Sequence, residues 1–223
     1  MNGKQAAGQK AIDEIKEGMT IGLGTGSTVY YFLEALAEKV ADGFELTGVA
    51  TSQKTIDLAK EWRIPMLPLN EVTKIDVTID GADEVDSQLS GIKGGGGALL
   101  YEKLVAKASD RRIWIVDSSK KVEQLGTFPL PVEVVPFGWK HVEAYFTGKG
   151  YHPKLRCSAD GQPYVTDAHH NILDLHLQSI TNAEELANEL DHLTGVVEHG
   201  LFIGMTEKVI IGYPDGHTET LER

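Results

Sequence analysis

The stretch MTIGLGTGSTVYYFLEALAEKV, Met19 to Val40, decides the fold. Its first five residues, Met19 to Leu23, form a short apolar run of strand length. Gly24-Thr25-Gly26 breaks that run, and Ser27 or Thr28 stands where a hydroxyl can cap a helix running to about Val40. Strand, glycine-rich turn and helix repeat outward from this unit. Ala6 to Ile15 reads as a helix before it. After it come the strand LTGVATS (46–52), the helix TIDLAKEW (55–62) and the edge-like strand IPMLPL (64–69). KIDVTIDGAD (74–83) is a strand that ends in acidic and small residues. GGALLYEKLVAKAS (96–109) is a helix, and RRIWIVD (111–117) is a continuous apolar strand. Strands buried on both faces and alternating with helices predict a parallel sheet covered on both sides.

The rhythm changes near Gly126. The proline-rich FPLPVEVVP (128–136) opens a second region, with a helix around Gly138–Thr147. The short strands KLRCS (154–158), PYVTD (163–167) and NILDLHL (171–177) precede the helix TNAEELANELDHL (181–193). GVVEHGLFI (195–203) and KVIIGYP (208–214) are expected to return to the first sheet. The expected division is therefore residues 1–127 with 197–223 as one domain, and 128–196 as a smaller α+β domain.

Bulk properties narrow the function. With 21 Lys and Arg against 33 Asp and Glu, the 223-residue chain has a formal charge of −12, which argues against nucleic acid as a partner. A single cysteine, Cys157, excludes an internal disulfide framework and fits a reducing, cytoplasmic setting. No signal-peptide core and no membrane-length apolar run is present, so no membrane partner is expected. His169, His170 and His176 lack ligand spacing to a carboxylate cluster and read as surface or strand-face residues. Trp62, Trp114 and Trp139 read as core or interface anchors.

In open α/β sheets, ligands bind beyond the carboxyl ends of the strands, and three segments fall there. GLGTGST (22–28) presents amides and a helix start suited to a phosphate, although a tight strand–helix turn needs the same glycines. It is neither the dinucleotide fingerprint nor a Walker A loop. DGADEVD (80–86) suits hydroxyl binding, proton transfer, a magnesium ion on Asp80 and Asp83, or a solvated loop. In KGGGGALLYEK (93–103), Lys93 supplies a cation and Gly94 to Gly97 let consecutive amides converge on an anion. Glu102 then stands either on the helix flank facing these loops or, with Lys103, on a solvated face.

Together these segments resemble the type A ribose-5-phosphate isomerases over nearly the whole chain. The resemblance rests on GLGTGSTV (22–29), ATSxxT (50–55), DGADEVD (80–86) and IKGGGGALLYEK (92–103). It continues through VDSSK (116–120), FPLPVEV (128–134), GVVEHGLF (195–202) and GYPDG (212–216). It implies a Rossmann-like α/β domain with a smaller α+β domain, commonly assembled as homodimers or homotetramers, and no metal or organic cofactor. The implied substrate is a small sugar phosphate, and the implied reaction interconverts D-ribose 5-phosphate and D-ribulose 5-phosphate in the non-oxidative pentose phosphate pathway. Glu102 takes the place of the general base. Thr25, Gly26, Ser27 and Thr28, then Asp80, Gly81, Ala82 and Asp83, then Lys93, Gly94, Gly95 and Gly96 take the places of the sugar- and phosphate-binding segments. Lys120 and the N-terminal Lys4 complete the implied set. Gly97 stands where some relatives carry alanine, a departure expected to leave the chemistry untouched.

The implied chemistry passes through an enediol or enediolate. Glu102 acts as base and then acid, the glycine-run amides and Lys93 face the developing oxyanion, and Asp80 and Asp83 hold hydroxyls, open the sugar ring and move protons between oxygens. Phosphate is expected on the Thr25–Thr28 loop with Lys120 and Lys4, or toward the lysines alone. Two other classes share related folds, a sugar-phosphate-sensing binding domain and a coenzyme A transferase. The acidic chain has no helix-turn-helix segment for the first and is short for the second.

Overall fold

A computed structural model describes residues 2–223. In chain order the elements begin with α1 (Gly3–Ala11), β1 (Thr20–Leu23), α2 (Ser27–Ala41), β2 (Thr47–Ala50), α3 (Gln53–Glu61) and β3 (Ile75–Asp80). The two-residue strands β4 (Glu84–Val85) and β5 (Gly91–Ile92) precede α4 (Leu99–Lys107) and β6 (Ser109–Asp117). Then follow β7 (Leu130–Val134), α5 (Trp139–Gly148), β8 (Pro153–Leu155), β9 (Asn171–Leu175), α6 (Ala183–Asp191), β10 (Val196–His199), β11 (Leu201–Phe202), β12 (Lys208–Gly212) and β13 (Thr218–Glu222).

Six strands form the main sheet in the order β13-β12-β6-β3-β1-β2. All neighbours are parallel except β12 and β13, which pair antiparallel. Alternation along β6 shows why its sequence is apolar throughout. Ile113 and Ile115 join Ile21, Leu23, Ile79 and Ile210 against Phe32, Leu33 and Leu36 of α2. Trp114 and Val116 face the other way, onto Phe202, Val85 and Leu89. Burying each such aliphatic or aromatic side chain contributes about 1.5–3 kcal/mol, so both faces of the strand hold the sheet in place.

A second sheet, β10-β7-β9-β8, has its own core around Val132, Val134, Phe146, Leu173 and Leu190. A third, β11-β5-β4, joins two strands from the connection between β3 and β6 to one from the connection between β10 and β12. Several expectations require correction. IPMLPL is not a strand: Pro65 and Pro68 cannot donate, and only a single bridge, Gly48 to Met66, reaches the edge of the main sheet. PYVTD is a tight loop rather than a strand, with Thr166 N–H donating to the carbonyl of His170 at 2.9 Å and His169 in the left-handed region at φ 64°. Of the two terminal stretches, only KVIIGYP rejoins the main sheet; GVVEHGLFI supplies β10 to the second sheet and β11 to the third. The cap of α2 is Gly26 at φ 127°, not Ser27 or Thr28, which stand inside the first turn.

Candidate active site

The carboxyl ends of β1 and β3, the residue after β5 and the first turn of α4 meet at one point. Asp80, the last residue of β3, accepts at Oδ1 from the backbone N–H groups of Thr25 (3.0 Å) and Gly81 (2.8 Å). This approach explains Gly24, since a Cβ there would lie 2.1 Å from Asp80 Oδ1. Lys93 Nζ donates to Asp80 Oδ2 at 2.8 Å and to the carbonyl of Gly81 at 2.7 Å. Glu102 Oε2 lies 3.2 Å from the same ammonium, at an angle that makes no hydrogen bond, and no other protein group bonds it. Asp80, Lys93 and Glu102 are each only 3% exposed. Glu102 is thus a loop-facing residue and not a solvated one.

Burial is the largest influence on the charges of Glu102 and Lys93. It pushes the Glu102 carboxyl up to about 8, with the nearby Asp80 charge adding to the rise and Lys93 opposing it. For Lys93, burial works against the charged form, but Asp80 first and Glu102 second outweigh it, so the ammonium is held above its ordinary range. Asp83 is also pushed up by burial, against the Gly95 N–H and the charges of Lys93, Lys120 and Arg156. A buried carboxylic acid beside a firmly charged ammonium is poised for proton transfer near neutral pH.

Above this chain lies a cavity of about 130 Å³. It is lined by Lys4, Thr25 to Thr28, Gly81 to Asp83, Lys93 to Gly96, Glu102 and Lys120. The resemblance-implied residues are therefore brought together, with Asp80 lying beneath the lining. Lys4 Nζ donates to Ser27 Oγ at 2.9 Å, and Lys120 Nζ stands 5.9 Å from the centre of the Phe128 ring. A larger hollow of about 1150 Å³ opens beyond the turn. It shares Lys4 and Thr25 to Ser27 with the smaller one, but it contains no buried acid–base pair. The buried acid–base pair belongs to the smaller cavity.

The glycine run is only partly free. Gly95 N–H already donates to Asp83 Oδ2 at 2.7 Å, so not every amide converges on the cavity. Gly94 and Gly97 sit at φ 99° and 81°, and Gly97 N–H closes a turn onto the Gly94 carbonyl at 2.9 Å. Two residues of the second region, missed in the sequence, hold the run from outside. Arg156 donates to the carbonyls of Gly94 (2.9 Å) and Gly95 (3.1 Å) while its Nε bonds Asp174 at 2.9 Å. Tyr164 Oη reaches the Gly96 carbonyl at 3.4 Å. Neither carries a sequence signal, because the contacts join residues 62 and 68 positions apart.

GVVEHGLF packs behind Lys93 rather than lining the cavity. Lys93 N–H donates to the Gly200 carbonyl at 2.9 Å, and the Phe202 ring centre lies 5.2 Å from Lys93 Nζ and 4.8 Å from Lys103 Nζ. Lys103 is buried, not solvated, and bonds Glu198 Oε1 at 2.5 Å and the His199 carbonyl at 2.8 Å. Asp191, Glu198 and His199 place ligand-type atoms within 4.8 Å of one another. The Lys103 ammonium already occupies Glu198, and burial followed by the Lys103 charge lowers His199 to about 4, so this cluster braces α4 with a fixed cation.

Fold and site together define an α/β enzyme of the acid–base type. The family model for ribose 5-phosphate isomerase A (phosphoriboisomerase A) matches residues 47–216. Ribose-5-phosphate isomerase A of Enterococcus faecalis is 50% identical over 217 residues, 97% of this chain and 96% of that protein. The same enzyme of Listeria monocytogenes is 49% identical over 223 residues, covering all of both chains. Among solved structures, a D-ribose-5-phosphate isomerase in complex with phospho-erythronic acid superposes with a TM-score of 0.95 at 38% identity, over 99% of this chain and 97% of that one. Ribose 5-phosphate isomerase A of Methanocaldococcus jannaschii gives a TM-score of 0.93 at 35% identity, over 99% and 98%. The chain belongs to the ribose 5-phosphate isomerase A family. The sensing-domain alternative is not favoured.

Proposed function

We propose that Glu102 carries the proton in the reaction of this family, the interconversion of ribose 5-phosphate and ribulose 5-phosphate. The observation that carries the reading is its buried carboxylate, free of hydrogen bonds, on the cavity floor 3.2 Å from Lys93. In the aldose-to-ketose direction Glu102 takes the proton from C2, and the electron pair moves to form the C1–C2 double bond with charge on O1. Glu102 then returns the proton to C1, while a proton passes from the C2 hydroxyl to O1. Lys93, fixed by Asp80 and the Gly81 carbonyl before any sugar arrives, stabilises the oxyanion without reorganising. Because Gly95 is committed to Asp83, the further amide donors come from its neighbours in the run.

The geometry also supports a division of labour between the aspartates. Asp80 is engaged by three donors and serves as the anchor of the turn and of Lys93. Asp83 lines the cavity with one oxygen on Gly95, and so it handles sugar hydroxyls, ring opening and the transfer between oxygens. Lys4, Ser27, Lys120 and the amides opening α2 hold the phosphate. A phosphorylated acid bound by a 38% identical relative is consistent with such a ligand.

Ile56, Leu67, Tyr101 and Leu104 are exposed around a cavity of about 780 Å³ at the open edge of the main sheet, which supports assembly into homodimers or homotetramers. Among the described residues no helix is long and apolar enough to cross a membrane. The lone exposed Cys157 suits the cytoplasm. Glu102→Gln tests the central role: binding of ribose 5-phosphate should persist while kcat falls by about 10²–10⁴-fold. Near-normal kcat in that variant ends the assignment.

A further inference from the structure

The segment ATSQKT, Ala50 to Thr55, has no part in the reaction above, yet it meets the phosphate turn through buried hydroxyls. Thr25 Oγ1 lies 2.8 Å from Thr51 Oγ1, 2.8 Å from Ser52 Oγ and 3.2 Å from Thr55 Oγ1. Ser52 Oγ is 3.1 Å from Thr55 Oγ1, which is 2.8 Å from the Gly24 carbonyl. Each hydroxyl owns one proton, and that rule orders the cluster. The Gly24 carbonyl only accepts, so Thr55 donates to it. Ser52 then donates to Thr55 and Thr25 to Ser52, while the Thr51 hydroxyl stands between Thr25 Oγ1 and the Leu23 carbonyl, to which it also donates at 3.3 Å. From Thr25 onward the protons run in one direction and end on the backbone of the turn.

This order directs the Thr25 hydroxyl away from the cavity. Its methyl group faces the glycine run instead: a Cβ at Gly96 would lie 3.7 Å from Thr25 Cγ2. The Thr25 N–H is committed to Asp80. What the turn offers an anion is therefore the start of α2 and Ser27, in an orientation set from below.

We infer that Thr51, Ser52 and Thr55 are positioning residues that lock the phosphate-holding turn through Thr25 and Gly24. The inference rests on the reading that phosphate sits on that turn. It also predicts which kinetic constant changes. Asp80 keeps Gly81 N–H and Lys93 as partners when Thr25 loosens, so the acid–base chain stays in place. The phosphate, by contrast, depends on the turn for Ser27 and the amides opening α2.

The test measures kcat and KM for ribose 5-phosphate, and the inhibition constant of inorganic phosphate, in wild type, Thr55→Val, Thr55→Ser, Thr51→Val and Lys4→Ala. Thr55→Val should raise KM and the phosphate inhibition constant together by about tenfold, with kcat within about twofold of wild type. Thr55→Ser should restore both constants. Thr51→Val, which removes one flanking partner of Thr25 and leaves Ser52 and Thr55 in place, should raise both by about two- to threefold. A folded Thr55→Val with both constants unchanged, or with kcat lost and KM intact, overturns the inference. If Thr55→Val does not fold, Thr51→Val decides, and unchanged constants there overturn it. Lys4→Ala separates the two levels. Weaker phosphate inhibition in Lys4→Ala but not in Thr55→Val overturns only the hydroxyl chain. Phosphate inhibition that neither variant moves overturns the phosphate-turn reading, and this inference with it.

Discussion

Glu102 shows how the surroundings of one residue change its acidity. On a solvated helix it would be an ordinary carboxylate; buried beside Lys93 and near Asp80 it holds its proton up to about 8. A base works only when deprotonated, so kcat/KM should climb with pH and level off above about 8. Asp80→Asn removes a charge that raises Glu102 and releases Lys93 toward it. Both changes favour the carboxylate, so the acid limb should move to lower pH even as the variant slows. The titration of the substrate phosphate near about 6 is common to both enzymes and cancels in the comparison. A limb that stays in place would remove Asp80 from the cluster, whose groups titrate together. At this scale Glu102, Asp80, Asp83 and Lys93 were legible because the family resemblance names them in short local motifs. Arg156 and Tyr164 were not, because the backbone carbonyls they hold leave no mark on the sequence.

Elements were legible where burial is periodic and illegible where turns decide. The continuous apolar run of RRIWIVD announced β6, buried on both faces. The β-branched PYVTD looked equally strand-like, yet its hydrogen bonds close locally and deliver Tyr164 to the glycine run. In IPMLPL the prolines limit contact to one bridge. The glycine run makes the same point energetically. A Cβ on Gly97 would meet Tyr164 Oη at 2.3 Å, and its φ is 81°, so the alanine carried by some relatives is not neutral here. Gly97→Ala should lower stability by about 1–3 kcal/mol in denaturant unfolding, and adding Tyr164→Val should recover part of that loss. Gly96→Ala, whose Cβ meets nothing closer than 3.7 Å, should stay within about 0.5 kcal/mol of wild type.

Across the whole molecule, two separate cores flank the candidate site. One lies under α1 and α2, the other inside the second sheet, and Arg156 ties the second to the glycine run. Arg156→Met should leave both cores folded, with thermal unfolding close to wild type, yet reduce kcat by about tenfold as the run loses its support. Unchanged kcat would make that tie purely structural. The parallel sheet was legible from strand–helix alternation, whereas the destination of GVVEHGLFI was not, since a short apolar run does not specify which sheet it joins. That segment places Phe202 where one ring serves two ammonium groups, Lys93 in the candidate site and Lys103 in the brace of α4. Evolution is left with little room there. Leucine or methionine would fill most of the volume but offer no aromatic face to either cation, so among neutral-drift variants this position should be far less permissive than the other buried phenylalanines, Phe32 and Phe146.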